Sequence, residues 1–151
     1  MKRVFTTWAT LLAGAALVAA LGPTPAAAAD PAAEAAKGYS VEGSASPSTV
    51  KVGEKGTLAI VIKPNVPTWH VDPRAPLKIR FTAPAGLKLE RADLGRRDAA
   101  DPKADAPRFE TVFVAAAPGT QEVRAEVDFF LCSDTACVKQ VRTVPVAVQV
   151  R

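Results

Sequence analysis

The sequence predicts an all-β domain built as an antiparallel β-sandwich, and three observations carry that prediction. Apolar and polar residues alternate in several short runs, clusters of Pro and Gly separate those runs, and no helical periodicity follows the Ala-rich stretch that ends near Lys37. Leu58, Ile60 and Ile62 alternate with Thr57, Ala59 and Val61, and Pro64 and Pro67 then interrupt the run. Leu77, Ile79 and Phe81 alternate with Lys78, Arg80 and Thr82, the pattern of a strand with one wet face. Pro84-Ala85-Gly86 turns the chain into Leu87-Lys88-Leu89-Glu90.

The segment 91–107 concentrates charge together with Gly95, Pro102 and Pro107, and reads as a long surface connection. Phe109 to Ala115 forms another strand, Pro118-Gly119 a turn, and Gln121 to Leu131 the longest alternation in the chain. Val144, Val146, Val148 and Val150 close the sequence as a last strand. About seven or eight strands punctuated in this way suit a two-sheet sandwich. Gly53-Glu54-Lys55-Gly56 reads as a hairpin turn and not as a phosphate-binding loop.

The N-terminus carries an export signal. Lys2 and Arg3 precede an apolar stretch from Trp8 to Leu21, Gly22-Pro23-Thr24-Pro25 breaks it, and Ala27-Ala28-Ala29 supplies the small residues of a cleavage site. Residues 1–29 are therefore expected to be removed as a signal peptide. Residues 30–38 are then a flexible, Ala-rich leader or a short frayed helix, and 39–151 form the domain. No cysteine stands near the cut to take a lipid, and no later segment is apolar enough to span a membrane. The mature domain is expected to be exported.

Composition narrows the function. With 48% hydrophobic and 23% charged residues the chain can bury a core, which excludes a disordered protein. The formal charge of +4 loses Lys2 and Arg3 with the signal, and the longest basic cluster left is Arg96-Arg97, so no nucleic-acid partner is expected. His70 is the single histidine and the only methionine is Met1, so no metal and no cofactor is expected. One histidine without a nucleophile elbow assembles no hydrolytic triad. Trp69 reads as a core aromatic.

Chemistry concentrates at the two cysteines. Cys132 and Cys137 bracket Ser133-Asp134-Thr135-Ala136 at the end of the longest strand, in a chain bound for an oxidising compartment, so they pair. Strand parity sends Val123, Ala125, Val127, Phe129 and Leu131 to the core and Glu122, Arg124, Glu126 and Asp128 to water. Cys132 continues the water-facing set after Phe130, which places it on the outer face beside an exposed aromatic. A loop this short gains only about 2 kcal/mol from closure, against roughly 4–5 kcal/mol for a bridge spanning a domain. A bond near the surface is open to an attacking thiolate. Asp134 would raise a nearby thiol pKa and Lys139 would lower it. Two readings stand at this point: a working redox couple, or an inert staple across a hairpin.

A wider pattern bears on that choice. The block Cys132 to Pro145, CSDTACVKQVRTVP, follows the β-run Val127-Asp128-Phe129-Phe130 and resembles the cysteine-bearing hairpin of the N-terminal periplasmic domain of the thiol:disulfide interchange protein DsbD. Pro67-Thr68-Trp69-His70-Val71-Asp72-Pro73, followed by Ala75-Pro76-Leu77, is similar to the Trp-His segment common in DsbD-like domains. The resemblance runs from Tyr39 to Val150. It implies an immunoglobulin-like sandwich whose cysteine pair passes electrons from a thioredoxin-like protein or membrane electron carrier to oxidised periplasmic proteins. It also implies that Cys137 forms mixed disulfides and that Cys132 resolves them.

In the family, the loop after the Trp-His pair lays an aromatic over the disulfide and brings carboxylates near it. Asp72 matches such a carboxylate, whereas Pro73 and Arg74 stand where an aromatic would help, which leaves Phe130 to shield the pair. His70, Asp72 and Phe130 are thus the expected supporting residues around the catalytic Cys132 and Cys137. The chain ends after this domain, so the reductant is expected to be a separate protein, with this one acting as a component of a protein-disulfide reductase. The competing expectation is a non-enzymatic exported binding module with an inert structural disulfide.

Overall fold

Two antiparallel sheets face each other across one apolar core in a computed structural model, which describes residues 30–151. The expected signal peptide, residues 1–29, lies outside the described residues. Asp30 begins a helix, α1 (Pro31–Lys37), by accepting the Ala32 N–H at 2.9 Å, with Pro31 in the first turn and Lys37 in the last. Of the two expectations for residues 30–38, a flexible leader or a short helix, the structure has the short helix. Ala35 is fully buried, and apolar contact holds so short a helix in place where propensity would not.

The first sheet contains β1 (Tyr39–Ser46), β3 (Lys55–Pro64), β8 (Arg108–Ala115) and β6 (Leu87–Leu89), in the order β1-β3-β8-β6. The second orders β2 (Thr49–Val50), β10 (Cys137–Val150), β9 (Gly119–Cys132), β5 (Lys78–Thr82) and β7 (Asp93–Gly95), and β4 (His70–Val71) adds to the end of β9. Every pairing is antiparallel except that of β2 with β10. The architecture is an immunoglobulin-like β-sandwich: the alternation implies the sandwich and the resemblance its immunoglobulin-like form.

Burial follows parity in most strands. Leu58, Ile60 and Ile62 on β3, Ile79 and Phe81 on β5, and Val123, Ala125, Val127, Phe129 and Leu131 on β9 all lie in the core. Ala59, on the expected wet face of β3, is also buried at 3% exposure. Trp69 packs against the core from a half-buried position. Gly56 lets the sheet close, because a Cβ there would stand 2.4 Å from the Phe113 ring.

Two connections differ from expectation. The 53–56 turn does not make a hairpin: it carries the chain from β2 in one sheet to β3 in the other, with Gly53 at φ +87°. The 91–107 connection is not all loop, since Asp93–Gly95 pairs with β5 as an edge strand and Arg96–Asp98 forms one 3₁₀ turn. Three paired residues are too few to carry a periodic signal, so neighbouring β5 decides the strand.

Candidate functional site: a half-sealed disulfide beside a carboxylate

The site grows from the hairpin between the two longest strands. β9 and β10 pair in unbroken register from Gly119↔Val150 to Cys132↔Cys137, so the last rung of the ladder is the cysteine pair. Ser133 closes the turn: its N–H donates to the Ala136 carbonyl at 2.7 Å, and its hydroxyl accepts the Ala136 N–H at 3.2 Å. Directly opposed residues on neighbouring antiparallel strands share a face, and Cys132 and Cys137 are joined there as a disulfide.

The two sulfurs do not share an environment. Cys137 is exposed, whereas Cys132 is 3% exposed. The outer-face position expected for Cys132 from parity is correct as a direction, but the expected exposure is wrong. β4 lies alongside the end of β9, with His70 opposite Cys132 and Val71 opposite Leu131, and the chain then folds Asp72 against the sulfur. Strand parity describes one strand, whereas burial depends on what the neighbouring strand lays over it.

Asp72 divides its two oxygens between tasks. Its N–H extends the ladder to the Phe130 carbonyl at 3.3 Å. Oδ1 accepts the Arg74 N–H at 2.8 Å, and Oδ2 stands 3.7 Å from Cys132 Sγ. A bonded sulfur carries no proton, so this is a close polar contact in the disulfide, and it becomes a hydrogen bond once Cys132 is a thiol. The backbone hydrogen bond from Arg74 holds the Asp72 carboxyl below the usual carboxylate range, and the Arg74 charge acts in the same direction. Asp72 is therefore an anion at neutral pH, and an anion beside Cys132 favours its thiol form over the thiolate.

Of the other expected residues, His70 shares the face of Cys132 but its ring is exposed. Phe130 is half-buried two rungs below, opposite Lys139, and helps line a groove of about 280 Å³ with Pro76, Leu77, Lys78 and Asp128. The residues after Asp72, Pro73 and Arg74, supply no aromatic cover, and the Arg74 side chain is 90% exposed. Of the supporting residues, the structure brings Asp72 to the sulfurs and leaves Phe130 and His70 at the margin.

Arg96 carries no sequence signal beyond being half of a small basic cluster. It is part-buried, and its Nη2 donates to the Asp72 carbonyl at 2.6 Å, tying the 3₁₀ turn to the segment that covers Cys132. Its Nε and Nη1 are buried without a hydrogen-bond partner. Burial pushes the guanidinium down from its ordinary pKa, and the Asp72 charge pulls the other way. The two residues lie far apart in the chain, so no local pattern marks the pair.

The turn bearing Arg96 is itself held by a carboxylate. Asp98 Oδ1 accepts from Arg91 Nη1 at 2.6 Å, and Oδ2 accepts the Gly95 N–H at 2.7 Å. The Arg91 hydrogen bond, followed by that from Gly95, lowers the Asp98 pKa. A carboxyl whose folded pKa is depressed contributes stability above its unfolded value of about 3.9, and that contribution is lost as pH falls through the folded value. The urea midpoint of the wild type should fall as pH drops below about 4, and Asp98→Asn should show a shallower fall. Equal slopes for the two proteins would remove Asp98 from the acid sensitivity.

Among known proteins, no family description and no curated sequence matches the chain. Solved structures of similar architecture exist. The collagen-binding subdomain of the Enterococcus faecalis surface protein ACE has 10% identity and a TM-score of 0.40, over 74% of this chain and 96% of its own. A lipoprotein from Bacteroides thetaiotaomicron has 18% identity and a TM-score of 0.36, over 74% and 78%. AggA, the major subunit of aggregative adherence fimbriae type I from Escherichia coli, has 10% identity and a TM-score of 0.31, over 75% and 93%. Likeness this remote leaves function to be read from the residues themselves.

Proposed function

We propose that this protein is an exported thiol–disulfide exchange domain, periplasmic in location, in which Cys132 and Cys137 alternate between disulfide and dithiol. The observation that carries the reading is the asymmetry of the bond: an exposed Cys137 sulfur joined to a buried Cys132 sulfur that touches the Asp72 carboxylate. An incoming thiolate of a thioredoxin-like protein or membrane electron carrier reaches Cys137 Sγ. Attack there makes a mixed disulfide and releases Cys132 as a thiolate, which takes a proton from water and donates it to Asp72 as a hydrogen bond. Attack by Cys132 on that mixed disulfide reverses the step. A second thiol of the reductant completes the transfer, leaving the reductant oxidised and this domain a dithiol. The dithiol then reduces an oxidised exported protein through the same sequence run backwards. The resemblance to DsbD-like domains supports this assignment of roles.

Trapping tests it. Cys132→Ser leaves Cys137 as a lone exposed thiol and should accumulate a mixed disulfide with an oxidised client or with a thioredoxin-like protein. Cys137→Ser, whose remaining thiol is covered, should give little or none. Equal trapping by the two variants, or none by either, argues against the reading.

A second reading keeps the disulfide inert and makes the sandwich a binding module, and the burial of Cys132 favours it. The reduction potential separates the two. A value below about −300 mV marks a structural bond, and a higher value a bond that exchanges.

A further inference from the structure

The pair of sulfurs and the carboxylate that touches one of them also form a cluster of metal-ligand atoms. Asp72, Cys132 and Cys137 each offer one such atom, and all lie within 4.8 Å of one another. We propose that the reduced form of this domain binds one divalent zinc ion through Cys132 Sγ, Cys137 Sγ and an Asp72 carboxylate oxygen, with water completing a tetrahedron. The proposal rests on the exchange reading, because the ligands exist only once the bond has opened.

Four features support it. Four residues separate the cysteines in the sequence, within the spacing at which structural zinc sites take two thiolates from one turn. Two thiolates on one tetrahedral ion stand about 3.8 Å apart, a separation that directly opposed residues on neighbouring strands can span. The donor set of two thiolates and one carboxylate carries three negative charges against the two positive charges of the ion, and zinc accepts sulfur and oxygen ligands alike. The mouth of the site is open on the side of exposed Cys137, while β4 shields the Cys132 side.

The neighbouring cations leave the carboxylate available. Arg74 Nε is 3.6 Å from Asp72 Oδ1, but that side chain is 90% exposed and can swing into solvent. Arg96 donates to the Asp72 carbonyl and not to its carboxylate, so it fixes the segment without occupying a ligand oxygen.

The chemistry balances without further components. A dithiol reductant gives two electrons and two protons to the Cys132–Cys137 bond and becomes a disulfide. Zinc then displaces the two thiol protons, which pass to solvent, so affinity rises with pH. The loaded dithiol is protected from oxidants, since thiolates shared with the ion are poorer nucleophiles than free ones. Zinc thereby draws the couple toward its reduced state.

The test uses the chain from residue 30 onward, reduced with a phosphine under nitrogen and freed of reductant. Thiol titration and circular dichroism first establish two free thiols in a folded protein. Cobalt(II) is then added as a coloured substitute for zinc. The expected result is one equivalent bound, with near-ultraviolet thiolate-to-cobalt absorption and visible bands of tetrahedral intensity that zinc abolishes. Asp72→Asn, shown to be folded and reduced, should bind cobalt at least tenfold more weakly. Two free thiols in a folded protein without cobalt bands, or equal affinity in Asp72→Asn, overturns the metal site and leaves the exchange reading standing. A bond that opens only when the protein unfolds overturns both.

Discussion

Phe129→Ala should lower the stability of this domain by about 3–5 kcal/mol, the range for removing a fully buried phenylalanine. Phe129 has no exposed surface and sits on β9, the strand that pairs with β10 on one side and with β5 and β4 on the other. Its ring meets Tyr39 edge-to-face at 4.9 Å between centroids, a geometry that adds to the area term. Tyr39 is in turn held by a hydrogen bond from its hydroxyl to Gln140 Oε1 at 3.1 Å, and Arg142 lies over its ring at 5.3 Å. Burial raises the Tyr39 phenol pKa, so the hydroxyl stays a donor at neutral pH. Truncating Phe129 therefore opens a cavity and leaves Tyr39 without its packing partner. Urea titration followed by tryptophan fluorescence measures the loss. A change under about 1 kcal/mol would mean that the two sheets close over the gap, and that the core is far more yielding than its packing suggests.

The second large effect concerns the sulfurs. On the exchange reading, replacing both Cys132 and Cys137 with serine should abolish electron transfer through the domain while leaving the fold intact, at a cost of about 2 kcal/mol for a loop this short. The reason lies in the register: β9 and β10 pair continuously for the whole length of both strands, so the disulfide closes a hairpin the backbone has already aligned. Most of the core, from Val123 to Leu131 and across to β3 and β8, makes no use of the bond. Circular dichroism and the urea midpoint give the structural half of the result, and electron transfer from a reduced thioredoxin-like protein to a client gives the functional half. A double variant that fails to fold would make the disulfide a staple and favour the binding-module reading.

The asymmetry of the cysteine pair also changes which residues deserve mutation. Asp72 touches Cys132, whereas His70 and Phe130 lie at the edge of the site. Arg96 reaches the same segment and holds Asp72 by its backbone carbonyl. Together they explain how a short two-residue strand, β4, can cover a sulfur at the end of a much longer one. The segment is pinned at Val71 by the core, at Asp72 by the β9 ladder and at the Asp72 carbonyl by Arg96.

Residue order alone determined the sandwich, the core positions of β3, β5, β9 and β10, the turn at Pro118-Gly119, and the pairing of the only two cysteines. Those features are local: two-residue alternation reports a half-buried strand, and proline with glycine reports its end. The burial of Cys132, the edge strand Asp93–Gly95, the docking of the helix Pro31–Lys37 through Ala35 and the Arg96–Asp72 contact were decided by tertiary structure alone. Each depends on a partner distant in sequence: β4 over β9, β5 beside β7, the core beneath Ala35, a 3₁₀ turn against a covering loop. Burial and long-range hydrogen bonding are properties of pairs of segments, and one strand's periodicity holds no record of which segment will lie across it.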